Sequence, residues 1–369
     1  MKKPPPPVDY AGYLQLDRIL SSQAPRSVEL GTPAHDETLF IIIHQTYELW
    51  FKQILHELDS AIAMFREDYI DEKNIGIAVS RLHRIIEIQK IMIDQIRILE
   101  TMTPLDFLEF RNFLTPASGF QSFQFRELEI KLGLKTNQRV KYSQQAYHHM
   151  FTAQIQSKLV EMEKNPSLFD LLESWLERTP FLDLTGFNFL KVYRQTVEKM
   201  LLLEREAIEQ NLSLSAEDKK ERLLLMKATA KHFHTLFDAQ EHEQLIREER
   251  RSLSYKATLA ALFIHLYRDQ PIVHMPFMLL SAIVDIDELL STWRYRHALM
   301  VLRMIGRKTG TGGSAGFNYL KHTTESHRVF ADLFNLSTFL IPRSQLPELP
   351  EEFEKELGFY FSQKGNDTL

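Results

Sequence analysis

The chain has 369 residues, 44% of them hydrophobic and 25% charged, with a formal net charge of −5 and no cysteine. A chain of this length and composition buries a large core without cross-links, and its mildly acidic balance argues against a broad nucleic-acid surface. The lack of cysteine removes disulfides, thiolate metal sites, cysteine nucleophiles and covalent c-type cofactor attachment together, and it fits a reducing compartment. Residues 1–10 set two lysines before four prolines with no apolar stretch, so they do not read as a secretory leader. Apolar runs such as 275–284, interrupted by Ser281, fall short of the roughly 20 residues that span a bilayer. A soluble, cytoplasmic protein that binds neither membrane nor nucleic acid is expected.

Helix formers fill the stretches between 13 glycines and 15 prolines, and period-2 alternation is nearly absent, which predicts an all-α fold. Over 36–65, apolar residues from Leu39 to Phe65 recur mostly at three- and four-residue steps, giving a long helix with Asp36 as N-cap. The pattern returns at 75–101, Pro104 opens a short helix at 106–112, and a loop at 115–119 precedes a helix at 122–132. The more polar stretch predicts helices at 167–178, 187–210 and 215–246, with the charged 204–223 segment a solvated helix pair and its turn. Helices at 254–268 and 276–308 restore hydrophobicity, and a glycine-rich loop at 310–316 leads into a helix from Phe317. No repeat or linker divides the chain. Residues 1–34 read as an arm, 35–343 as one large helical domain containing a polar excursion at 135–250, and 344–369 as a tail.

Histidine is the first place to look for chemistry in a chain without cysteine. His44, His265 and His297 lie in apolar helical contexts, and for any one of them a buried core histidine is the plainer reading. His83 sits at a helix surface, and His148, His149, His232, His234, His242, His322 and His327 lie in polar surroundings that read as solvated. His35, Asp36, Glu37 and His44 offer the residue types of a facial triad, but neighbours on a helix diverge by about 100°, so the set is geometrically poor. The loop from Gly310 has no strand before it and no phosphate-binding pattern, so it reads as a lid or ligand clamp carrying Thr311 and Ser314, or equally as a plain connector. Arg111 and Arg126 lie among aromatics, where a guanidinium needs an anionic partner: an internal carboxylate by default, a ligand carboxylate as the functional alternative.

Taken in order, several blocks resemble the tryptophan 2,3-dioxygenase family. They are 10–17, 35–52, Phe110 with Arg111, 116–122, 175–180, 293–297, 310–316 and 332–338. The region 204–245, the proline-rich start and the C-terminal tail lie outside the resemblance. It implies an all-α fold with a haem pocket between helices, and one haem b per subunit, ferrous in the active form. The implied reaction inserts both atoms of O2 into the indole C2–C3 bond of L-tryptophan to give N-formylkynurenine, the first step of the kynurenine pathway. By the same resemblance His297 is the axial iron ligand and His44 the distal histidine beside the indole, with Phe40 one turn away on the same face. Arg111 clamps the substrate carboxylate and Thr311 the ammonium group. Arg126, Ser118 and Trp293 surround the haem and its propionates. Tyr10, Tyr13 and Leu14 form an arm that completes a neighbouring subunit's pocket in a homotetramer. The competing readings are an indoleamine dioxygenase, which is monomeric and lacks this arm, a non-catalytic sensor on the same scaffold, and a plain helical interaction protein.

Overall fold

The computed structural model describes residues 6–67, 69–140, 147–184, 187–310 and 317–358. The chain opens with three short helices, α1 (Tyr10–Leu14), α2 (Leu16–Leu20) and α3 (Arg26–Glu29). Two long ones follow, α4 (Glu37–Phe65) and α5 (Glu72–Leu99), then the shorter α6 (Pro104–Arg111) and α7 (Phe123–Leu132). Next come α8 (Ala153–Met162), α9 (Leu168–Glu177), α10 (Phe189–Gln210), α11 (Ala216–His234) and α12 (Ala239–Arg247). The last group is α13 (Tyr255–Leu266), α14 (Pro271–Ile305), α15 (Phe317–Ser326), α16 (Ala331–Asn335) and α17 (Glu351–Leu357). Among the described residues the one sheet is a two-residue antiparallel pair, Asp183–Leu184 with Phe187–Asn188. The fold is all-α, as the composition predicts.

Local chemistry sets the helix ends. The Thr103 hydroxyl and the Asp106 carboxylate cap each other's backbone at the start of α6, with Pro104 at the first position where no N–H is needed. Ser122 caps α7 by accepting from the Phe125 amide at 3.2 Å. Gly133 ends α7 at φ +125°, and a Cβ there would lie 2.7 Å from the Cβ of Phe169, so a side chain is excluded twice over. Asp36 occupies the N-cap position of α4 without a side-chain bond. The neighbouring Glu37 carboxylate instead accepts the backbone N–H groups of Arg26 and Ser27, both at 2.8 Å, and so caps α3.

Three expected boundaries move. α14 begins at Pro271, not 276, and carries Pro276 inside it; it ends at Gly306, whose φ of +60° an L side chain rarely adopts. The expected 215–246 helix breaks into α11 and α12, because the Asp238 side chain accepts the amides of Gln240 and Glu241 and restarts the helix. The core forms where α5 packs between α4 and α14, with α9 and α13 added beside it. Leu58, Leu82, Phe263 and Leu279 are wholly buried there, each contributing roughly 1.5–3 kcal/mol of transfer free energy. The Tyr47 hydroxyl donates to the Met92 carbonyl at 2.8 Å and ties α4 to α5.

Candidate active site

A cavity of about 290 Å³ opens beside this core, walled by α4, α6, α7, α14, α15 and the loop before α7. From α4 come Phe40, His44, Tyr47 and Phe51; from α14 come Trp293, His297, Met300 and Met304. Both sets step by four, three and four residues, the spacing that keeps side chains on one side of a helix. The two stripes that looked like core on sequence alone therefore meet across a cavity.

His44 faces this cavity. Its Nδ1 lies 2.7 Å from the carbonyl oxygen of Phe40. A carbonyl only accepts, so Nδ1 carries the hydrogen and a neutral ring leaves Nε2 as an acceptor. Burial pushes its pKa below 6.5, opposed by the bond to Phe40 and by the Glu48 carboxylate. The Phe40 ring lies 4.1 Å from it, centroid to centroid. Glu48 is itself held by Gln124, whose Nε2 donates to both its carboxylate and its carbonyl.

His297 stacks on Trp293, with ring centroids 5.5 Å apart and 10° between planes. Burial, and then the proximity of His44, push its pKa to about 4. The ring is neutral near pH 7 and makes no hydrogen bond to a described residue, so a lone pair is available to a ligand. Among the described residues no three His, Asp or Glu side chains converge as a metal site.

The two arginines differ. Arg111, at the end of α6, donates through Nη2 to the carbonyl of Thr309 and has no ion-pair partner among the described residues. Arg126 is buried and bonds through Nη1 to Glu129 at 2.8 Å, the internal carboxylate expected by default. Glu129 is buried as well, and also accepts from Arg139 and Arg294. Burial works to raise its carboxyl, but Arg139, Arg126, His327 and Arg294 together hold it well below the usual carboxylate range. Ser118 lines the cavity from the loop, and its hydroxyl caps the short turn at Gly119–Gln121.

The cavity thus gathers Phe40, His44, Arg111, Ser118, Arg126, Trp293 and His297. Thr311 lies outside the described residues, although Gly310 is on the cavity wall. Tyr10, Tyr13 and Leu14 on α1 are exposed at 76%, 74% and 36%, and the cavity of a single chain does not include them. Sequence reasoning missed Tyr47, Glu48, Glu129 and Arg294 as wall residues. It also placed His242 and His327 in solvent, whereas they are 0% and 3% exposed. His242 donates through Nε2 to the Leu253 carbonyl and accepts from Arg251, and His327 accepts from the Val140 amide. Those partners fold in from elsewhere, and the polar neighbours in sequence gave no hint of them.

These features define a class: a helical protein whose aromatic-walled cavity sets two neutral histidines and an arginine, with no carboxylate partner among the described residues, around a ligand space. The tryptophan 2,3-dioxygenase family profile matches residues 6–340. The chain is 49% identical over 356 residues to the tryptophan 2,3-dioxygenase of Bdellovibrio bacteriovorus, covering 96% of this chain and 99% of that one. It is 47% identical to the Dictyostelium discoideum tryptophan 2,3-dioxygenase over 96% of this chain and 89% of that one. Tryptophan 2,3-dioxygenase B of Danio rerio is 47% identical, over 94% of this chain and 85% of its own length. The chain belongs to the tryptophan 2,3-dioxygenase family.

Proposed function

We propose that this chain is a haem-dependent dioxygenase that converts L-tryptophan and O2 to N-formylkynurenine, with the cavity between α4 and α14 as its active site. The observation that carries this reading is the pair of neutral histidines, His44 and His297, on two walls of one aromatic-lined cavity with Arg111 beside them. Three features fit a haem b. The His297 ring has a lone pair to give; Arg126 Nε is buried without a partner among the described residues; and three arginines converge on one carboxylate, which leaves positive charge for the carboxylates of a porphyrin.

His297 would hold the iron, with Trp293 stacked behind it, and Arg126 and Ser118 would flank the porphyrin. When bound, the haem supplies the O2 binding and redox chemistry by which both oxygen atoms enter the indole C2–C3 bond. The chain does the rest by orientation and exclusion of water. The Phe40 ring lies against the indole. His44 Nε2 accepts the indole N–H, since its Nδ1 hydrogen is committed to the Phe40 carbonyl. Arg111 exchanges the Thr309 carbonyl for the substrate carboxylate, a charge-assisted and bidentate partner that a carbonyl cannot match. Thr311 holds the ammonium group. Tyr10, Tyr13 and Leu14 would close the pocket of a neighbouring copy in a homotetramer, which accounts for their exposure in one chain.

The test is spectroscopic. Protein reconstituted with haem and reduced should give a strong Soret band, and air with L-tryptophan should then yield N-formylkynurenine. No Soret band would remove the histidine assignments. A Soret band without product would redirect the site to another indole.

A further inference from the structure

We propose that Glu129 is a positioning residue for the cofactor. It gathers Arg126, Arg139 and Arg294 into a buried surplus of positive charge facing the cofactor's carboxylates, and through Arg294 it fixes the helix that carries His297. The inference rests on the haem reading above.

Glu129 is 1% exposed. Its Oε2 accepts from Arg126 Nη1 at 2.8 Å and Arg139 Nη1 at 2.5 Å, and its Oε1 from Arg294 Nη2 at 2.9 Å. His327 Nδ1 lies 3.6 Å from Oε1. The Nε2 of that ring accepts the Val140 amide at 3.0 Å, so in the neutral ring the hydrogen sits on Nδ1, toward the carboxylate. Three guanidinium donors thus occupy most of the acceptor positions of Glu129, and the cations it collects outnumber it.

A buried ion pair needs one cation, and every extra one is costly to desolvate when only carbonyls and rings, such as Leu134 and Tyr147 at Arg139, meet it in place of an anion. The next buried carboxylate, Asp287, does not close the deficit. It accepts the amides of Val329 and Phe330 and has its own cation, Arg328, at 3.8 Å. Four guanidiniums therefore share two carboxylates. The Nε atoms of Arg126 and Arg139 are buried with no hydrogen-bond partner among the described residues. Arg126 and Arg294 reach the cavity wall. A group bearing two carboxylates, as haem b does, matches both the sign and the size of the surplus.

The same carboxylate has a mechanical role. α7 packs chiefly on α4, and it is joined to α14 by the Glu129–Arg294 pair and by Phe125 against Trp293, centroids 5.4 Å apart. Arg294 also donates through Nη1 to the His327 carbonyl at 3.0 Å. It lies three residues, about one helical turn, before His297. Glu129 thus holds the rotation of α14 at the point where His297 must face the cavity.

The experiment compares the reduction potential and the haem-release rate of the reconstituted wild type with those of Glu129→Gln, Glu129→Asp and Arg139→Gln. Glu129→Gln removes a negative charge near the iron and should favour the ferrous form, on the order of tenfold at fixed ambient potential, or ~59 mV for a one-electron couple. Arg139→Gln removes a positive charge and should shift the potential the other way. Glu129→Asp keeps the charge but is too short to reach three guanidiniums, so the potential should stay near wild type while haem is released faster. Should Glu129→Gln fail to fold, the sign of the Arg139→Gln shift decides. Variants that melt earlier but keep wild-type potential and release would reduce Glu129 to a structural ion pair and overturn the proposal. A wild type that takes up no haem would overturn the haem reading, and this proposal with it.

Discussion

The α4–α14 region and the α10–α12 region are both helical, and they spend their side chains differently. In the first, residues at helical spacing point inward from two helices and end at a cavity, with neutral histidines and arginines among the aromatics. In the second, ion pairs such as Arg194–Glu198 and Arg205–Glu209 lie in solvent at one-turn spacing, and Leu202, Leu203, Leu212, Leu224 and Leu225 stay exposed. The contrast teaches that helical periodicity by itself does not distinguish a core from a site. What distinguishes them is whether the polar groups on the inner face are satisfied by the chain. His242, on α12, is buried with both ring nitrogens engaged. His297 is half-buried on the cavity wall, with neither nitrogen engaged among the described residues. A cavity-facing group without a partner in the chain marks the place where a ligand belongs.

Substitutions should separate the two regions sharply. The largest effect is expected at His297: His297→Ala should lose stable haem binding while keeping its helical circular dichroism, and an unchanged haem spectrum would remove the axial assignment. Next is Arg111. Arg111→Ala should weaken L-tryptophan binding by roughly 1.5–3 kcal/mol, the scale of a hydrogen bond to a charged group, read as a rise in Kd. Near-normal affinity would contradict the clamp.

A smaller effect should follow pH. His44 Nε2 must be unprotonated to accept the indole N–H, and its pKa lies below 6.5. Affinity for L-tryptophan should therefore hold steady as pH falls to 6.5 and drop only below it, as the imidazolium becomes a donor. A midpoint above 6.5 would contradict the assignment. His297 gives a related effect in protein without haem. Its folded pKa of about 4 lies below its unfolded value near 6.5. The unfolded chain then binds the extra proton between those values, and stability should fall as pH drops from 6.5 to 4. The smallest change is expected in the other region, where Arg205→Ala breaks an exposed, solvent-screened pair and should leave the thermal midpoint close to that of the wild type.

Much of this was legible in the sequence. The all-α fold followed from composition and period, and the α4 and α14 stripes from their spacing. Ordered blocks from 10 to 338 carried the family. Other features were hidden because they depend on distant partners. Glu129 looks like a surface residue of a charged helix until Arg139 and Arg294 fold onto it, the latter from 165 residues away. Asp238 splits a helix by bonding its own backbone, a local competition that a 3.6-residue pattern reads straight through. Arg111 and Arg126 looked alike in their aromatic surroundings, and only the folded chain gives one a carboxylate and the other a backbone carbonyl.

The most direct test of the central claim is a turnover of the haem-reconstituted, reduced protein with L-tryptophan under isotopically labelled O2, with the product read by mass spectrometry. The account predicts N-formylkynurenine carrying label at both newly introduced oxygens. Product with one labelled oxygen, or none, would contradict a dioxygenase and require a different chemistry for this cavity.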